Sequence, residues 1–369
     1  MTGPVRAGVI GCGYWGPNLI RNFIFHDEAT VQAVCDAVPA RVDRIARLYR
    51  VPHTTTNPEE LINSPDIDLV VVATPARTHA ALGKAAIEAG KHVLIMKPMT
   101  TSVDDAEELI SLAEQRGVLL AVDHTFVFTG AVRMMRELVA SGALGEIFYV
   151  DSVRINLGVF QSDVNVIWDL APHDVSIIDY VLGGILPTQV SAVGAAHAGS
   201  RRENIAYLTM QYGSSIIGHV HVNWLAPAKI RRTIVGGSKQ MIVYDDMQPS
   251  EKLLIYDKGV TIAPDDDPEK VYSELVSYRS GDVLAPRLDD REALAVEVDE
   301  VINAVLRGGD LSVDGYAGLR TVTVLEAAAR SARDGSKPID IDGSRTAGLT
   351  PLRIVSDAEA MRSSATSAG

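Results

Sequence analysis

A glycine-rich turn near the N-terminus constrains this chain more than any other stretch. Val5, Ala7, Val9 and Ile10 form a short apolar run that reads as a buried strand. It breaks at Gly11-Cys12-Gly13-Tyr14-Trp15-Gly16, and a helix-like stretch, PNLIRNFIF, follows. Strand, G-x-G-x-x-G and helix in that order present backbone N–H groups at a helix N-terminus, where a dinucleotide pyrophosphate binds. Gly11 permits the tight turn, Gly13 lets the phosphates approach the backbone, and Gly16 lets helix and strand pack closely. A second apolar run, 30–35, ends in Asp36, about 20 residues past the loop, where the adenosine ribose hydroxyls need an acceptor. The loop and Asp36 together point to a dinucleotide site, with an ordinary glycine turn as the bland alternative.

The next hundred residues repeat the same alternation. Residues 39–50 carry apolar positions at helical spacing, and Asn57-Pro58-Glu59-Glu60 has the form of an N-cap followed by proline at the first helical position. The continuous run 66–73, rich in valine, predicts a central parallel strand buried on both faces. Helices are expected at 80–89 and 102–115, the latter capped by Ser102, with strands at 92–96 and 118–122. Strands alternating with helices predict a doubly wound parallel sheet.

Beyond a helix at 130–141 the pattern changes. A strand at 147–157, a helix at 172–182 and short alternating runs between 189 and 262 predict an α+β half with an open, mostly antiparallel sheet. Two more helices, 289–306 and 317–333, could return toward the first half. The expected organisation is a nucleotide domain at 1–123, a second domain at 124–344 and a poorly ordered tail at 345–369.

A net charge of −13 disfavours nucleic acid or an anionic membrane as partner. Two cysteines in 369 residues suggest a reducing compartment. With no apolar run near 18 residues and no signal-peptide pattern, a soluble cytoplasmic protein is expected. No cluster has metal-ligand spacing, and neither a nucleophile elbow nor a Walker lysine is present.

Ligands of a doubly wound sheet bind beyond the carboxyl ends of its strands. Three segments fall there: Thr74-Pro75 with His79, Met96-Lys97-Pro98, and Asp123-His124-Thr125. The Lys97 ammonium could donate to an oxygen whose charge changes during hydride transfer; a solvated lysine is the alternative. In the second half, Asp169 reads as an N-cap, Pro172 as a first-turn proline and His173 as a neighbour of Asp169 on one helix face. The helix N-terminus and the carboxylate act oppositely on the imidazole, which would hold it near neutrality as a general base requires. A capping aspartate beside a surface histidine is the alternative.

GCGYWG, ATPARTH, the pair Lys97-Pro98 and the D-x-x-x-H of Asp169 and His173 resemble the Gfo/Idh/MocA oxidoreductases, over roughly residues 5–341. NLG at 156–158, VNVIWDLAPHD at 164–174 and NWLAPAKIRRTIVGG at 223–237 look like the branch acting on nucleotide-linked sugars. The resemblance implies an NAD(P)-binding Rossmann domain, a second domain whose sheet forms a homodimer or homotetramer, and hydride transfer at a sugar hydroxyl or ketone, C-3 in particular. It implies Lys97 and His173 as catalytic, Asp169 as their acidic companion, and a cis bond between Lys97 and Pro98. Thr74, Pro75 and His79 correspond to the segment under the nicotinamide. One departure stands out: Met96 replaces the glutamate that usually precedes the lysine and contacts the nicotinamide ribose.

The expectation is an NAD-dependent oxidoreductase acting on a nucleotide sugar. Gly11, Gly13, Tyr14, Trp15, Gly16, Asp36, Thr74, Pro75, His79, Met96 and Pro98 would line the cofactor. Lys97, His124, Arg154, Asn156, His173, Asn223 and Arg231 would meet the substrate. Asp36 favours NAD by repelling a 2′-phosphate, while Arg41 and Arg44 keep NADP open. Two alternatives accompany this reading: an NADPH-dependent reductase of a dTDP-ketodeoxysugar, and a non-catalytic dinucleotide-binding protein.

Overall fold

The computed structural model describes residues 3–158, 164–262 and 276–342, with the backbone alone at 259–262 and 276–279. The expected tail at 345–369 lies outside the described residues. The chain folds into two compact units, Met1–Thr129 with Asp290–Glu326, and Gly130–Asp289 with Ala327–Gly369.

The first unit opens with β1 (Val5–Ile10), α1 (Gly16–Phe25), β2 (Ala29–Cys35), α2 (Pro39–Tyr49), β3 (His53–Thr55) and α3 (Pro58–Ile62). It continues through β4 (Leu69–Val72), α4 (His79–Glu88), β5 (His92–Met96), α5 (Val103–Arg116) and β6 (Leu120–Asp123). All pairings are parallel, in the order β3-β2-β1-β4-β5-β6. β4, with sequence LVVV, is buried along its whole length, as a strand covered on both faces requires. The expected caps form: the Asn57 side chain accepts from the Glu59 N–H, and that of Ser102 from the Asp105 N–H. The order reverses between β1 and β4, so the turn after β1 and the segments after β4, β5 and β6 share one end of the sheet.

The second unit contains α6 (Gly130–Ala140), β7 (Ile147–Leu157), α7 (Val166–Val181), β8 (Gln189–Ala195), β9 (Ile205–Tyr212), β10 (Ile216–Asn223), β11 (Leu225–Gly237), β12 (Met241–Asp245) and β13 (Leu253–Tyr256). β14 (Gly259–Ile262) and β15 (Val276–Arg279) pair antiparallel as a separate two-stranded sheet, and β16 (Val283–Leu284) extends the main sheet. The chain closes with α8 (Ala293–Arg307), α9 (Gly315–Arg333) and β17 (Ile339–Asp340). The nine-stranded sheet runs β16-β13-β12-β11-β7-β10-β9-β8-β17. It is antiparallel except at its centre, where β7 and β10 pair in parallel.

The two units are not contiguous in sequence, unlike the expected split at residue 124. Residues 290–326 belong to the first unit, where Leu294, Val298, Val301 and Ile302 of α8 enter the core formed with β1, β2 and α1. The segment before α9 also extends β6, through a bridge between Ala121 and Asp314 and the bond from the Val122 N–H to the Val313 carbonyl.

Candidate active site

The glycine loop is built by close backbone approach. Gly11 has φ of +108°, and a Cβ there would lie 2.2 Å from the Ala73 carbonyl oxygen. A Cβ on Gly16 would lie 1.9 Å from the Gly11 carbonyl oxygen, so β1, the turn and α1 meet only without side chains. At Gly13, by contrast, nothing lies within 4 Å of where a Cβ would sit. This open cradle at the α1 N-terminus is what a pyrophosphate requires, and the residues present fit a dinucleotide. Tyr14 is exposed beside it, and Trp15 occupies the N-cap position of α1.

Asp36 is buried and closes the loop from the other side. Its Oδ2 accepts from the Cys12 N–H and its Oδ1 from the Val38 N–H, each at 2.8 Å, with Arg41 at 3.6 Å. The neighbouring thiols are sealed: burial, followed by the Asp36 charge, pushes Cys12 up to about 12 and Cys35 to about 11.

After β4, the hydroxyls of Thr74 and Thr78 share a bond of 2.7 Å, and Pro75 leads into a helical turn. His79 is buried, with Nδ1 2.8 Å from the Pro98 carbonyl oxygen and Nε2 2.8 Å from that of Thr74. It ties the segment after β4 to the segment after β5. The peptide between Lys97 and Pro98 is cis. Lys97 is half-buried, and Met96 packs its side chain against the core of the unit. His124 follows β6, fully enclosed; burial, then the charges of Lys97 and Arg320, depress it to about 3, so it is a neutral imidazole at ordinary pH.

In the second unit α7 begins earlier than its sequence suggests. Its N-cap is Asn165, whose side chain accepts from the Trp168 N–H at 3.1 Å. Asp169 therefore lies in the first turn and Pro172 inside the helix, which corrects the reading of Asp169 as the cap. His173 then stands well beyond the first turn, outside the short range of the helix-terminal charge invoked for it. The i, i+4 spacing of Asp169 and His173 is kept, and the Asp169 Oδ2 accepts from the Trp224 indole N–H at 3.0 Å. Trp224, buried and not anticipated in this role, was marked in the sequence only by its place after Asn223.

Two of the anticipated arginines are committed to carboxylates. Arg154 of β7 is buried, its Nε 2.7 Å from Asp174 Oδ2, while Ser152 Oγ donates to Asp174 Oδ1 at 2.7 Å. Arg231 of β11 lies opposite Arg154 in the register and donates to Asp246 at 3.1 Å. Asn156 lies in phase with Arg154 on the face that meets α7. Asn223 pairs with Ile155, one residue out of phase, which puts it on the opposite face from Arg154 and Asn156, and its Oδ1 accepts from the Leu225 N–H.

Comparison with known proteins places this geometry in a family. Residues 5–124 match the model of the GFO/IDH/MocA oxidoreductase family NAD-binding Rossmann fold, and residues 132–243 match the GFO/IDH/MocA C-terminal domain. The uncharacterized oxidoreductase YdgJ of Escherichia coli is 30% identical over 271 residues, 69% of this chain and 75% of that protein. The UDP-N-acetylglucosamine 3-dehydrogenase of Acidithiobacillus ferrooxidans is 26% identical over 319 residues, 86% of this chain and 94% of that protein. Its solved structure superposes with a TM-score of 0.73 over 89% of this chain and 96% of that one. GenD2 from gentamicin A biosynthesis, solved with NAD, is 25% identical, with a TM-score of 0.77 over 93% of this chain and 97% of that one. Cofactor cradle, lysine-proline pair and helical D-x-x-x-H thus occur in a chain that belongs to the Gfo/Idh/MocA family of oxidoreductases, enzymes built on an NAD-binding Rossmann domain.

Proposed function

We propose that this enzyme interconverts a secondary hydroxyl and a ketone on a UDP-linked sugar, at C-3, with NAD as cofactor. The observation that carries the substrate class is the similarity to UDP-N-acetylglucosamine 3-dehydrogenase over 94% of that protein. The nicotinamide, when bound, accepts or returns the hydride. Lys97 hydrogen-bonds the reacting oxygen, and His173 takes its proton in oxidation and returns it in reduction. Asp169, held by Trp224, orients His173 from one turn earlier. His124, enclosed and neutral, backs Lys97 from the end of β6. Asn156 and Arg231 supply further polar contacts, with Arg154 acting through Asp174, while Asn223, on the other face of the sheet, holds the turn into β11 through the Leu225 N–H.

On the cofactor side, Gly11, Gly13 and Gly16 shape the pyrophosphate cradle, flanked by Tyr14 and Trp15. Asp36 takes the ribose hydroxyls, favouring NAD over NADP. Thr74, Pro75, His79 and Pro98 support the nicotinamide end, with Met96 supplying apolar contact where a carboxylate is absent. Val193, Tyr207 and Ile217, about half-exposed on one face of the large sheet, suit a contact between copies of the chain. The sealed thiols suit a cytoplasmic enzyme.

The test is turnover of UDP-sugars with NAD and with NADP, followed through nicotinamide absorbance. Lys97→Ala and His173→Ala should each lower kcat at least about 100-fold with NAD affinity unchanged. Asp36→Ala should weaken NAD more than NADP. Near-normal turnover in both catalytic variants would remove these roles, and turnover of dTDP-ketodeoxysugars alone would move the substrate to the reductase alternative.

A further inference from the structure

Glu297 of α8 is fully buried within the first unit. A carboxyl group there is costly unless its charge is answered, yet no N–H or O–H donor among the described residues reaches its oxygens, and the side chain it meets is another carboxyl, Asp123. The charges acting on it are acidic: Asp123 at the end of β6 and Glu300 one turn along α8. Glu300 is occupied with the N–H and hydroxyl of Ser312. The basic groups that α1 and the turn after it bring to α8, Arg21 and His26, pair with Glu292 and Asp299. His124, next to Asp123, is neutral.

Asp123 is surrounded by donors instead. It is 1% exposed; its Oδ2 accepts from the Trp15 indole N–H at 2.8 Å, and its Oδ1 accepts from the Thr125 N–H at 3.1 Å and from the Thr125 hydroxyl. Two buried carboxyl groups facing one another do not both ionise. Burial, then the Asp123 charge, raises Glu297 well above the usual carboxylate range. The donors therefore leave the charge with Asp123 and the proton with Glu297.

We propose that Glu297 is a positioning residue for the dinucleotide loop: as a neutral acid it backs the Asp123 carboxylate that pins Trp15 between Gly13 and Gly16. This rests on the NAD-binding character of the first unit and is independent of the sugar. The sign of the pH effect follows. A group whose folded value is raised contributes its stability in full below its unfolded value, near 4.5, and loses it as pH rises through the folded value. Above that point two carboxylates repel beneath Trp15, and the loop loosens.

The experiment compares the full-length wild type with Glu297→Gln, which keeps the shape and removes the titration, and with Trp15→Phe and Asp123→Asn. Infrared spectroscopy should show a protonated carboxyl stretch in the wild type that Glu297→Gln lacks, a readout that needs no cofactor. NAD affinity and thermal midpoint of the wild type should fall together toward alkaline pH, whereas both stay flat in Glu297→Gln. Trp15→Phe and Asp123→Asn should bind NAD about tenfold more weakly at neutral pH. A wild type without the infrared band, or a Glu297→Gln profile that follows the wild type, overturns the proposal. So does an Asp123→Asn variant that binds NAD as tightly as the wild type. If the glutamine variant does not fold, the wild-type band alone decides.

Discussion

At Gly11 a positive φ and a carbonyl oxygen 2.2 Å from any added Cβ leave no room for a side chain, whereas at Gly13 the same methyl group would enter open space. The two glycines of one motif therefore fail differently. Gly11→Ala should lower the thermal midpoint markedly, because both the strained backbone and the clash act on the folded state. Gly13→Ala should unfold near the wild-type temperature yet bind NAD at least about tenfold more weakly, since its methyl occupies the phosphate cradle. Calorimetry and NAD titration on the pair separate the two roles. The motif and the position of Asp36 were legible in the sequence because backbone geometry alone fixes which residues can serve there. The partners of Arg154 and Arg231 were not, since Asp174 and Asp246 reach them only through strand register and helix packing.

Caps mark helix starts by local hydrogen bonds, and two of the helices could be read that way. Asn57 and Ser102 each stand just before an amphipathic run and cap it. α7 was misplaced because Pro172 looks like a first-turn proline, while the true cap, Asn165, lies well upstream of it. The helix runs through a residue that cannot return an N–H to the carbonyl one turn back. Asn165→Ala should cost about 1 kcal/mol, read as a lower denaturant midpoint at unchanged m-value. Trp224→Phe keeps the packing and removes the indole N–H from Asp169. It should lower kcat by about tenfold with little change in KM if Asp169 orients His173. The parallel pairing of β7 with β10 was equally hidden, because alternation reveals a strand's faces and not its neighbour.

The first unit takes part of its core from residues far away in sequence. Leu294, Val298, Val301 and Ile302 are each at most 3% exposed within it. At about 1.5–3 kcal/mol for each such side chain, their burial is worth roughly 6–12 kcal/mol. Typical domains have about 5–15 kcal/mol of stability in all. A fragment of residues 1–129 should therefore be molten or unfolded by near-ultraviolet circular dichroism, whereas the same fragment joined by a short linker to 290–326 should fold cooperatively and bind NAD. The doubly wound sheet could be recognised from its alternation, but nothing local in α8 says which of two cores it enters.

That borrowed helix also sets a timetable. Residues 130–289 leave the ribosome between the two halves of the first unit. At ordinary translation speeds this is on the order of ten to thirty seconds. During that interval the glycine loop is already made, but the helix carrying Glu297 is not. The nascent NAD domain must wait with an open apolar flank, and the later-coded unit is complete in most of its sheet before the earlier one can close.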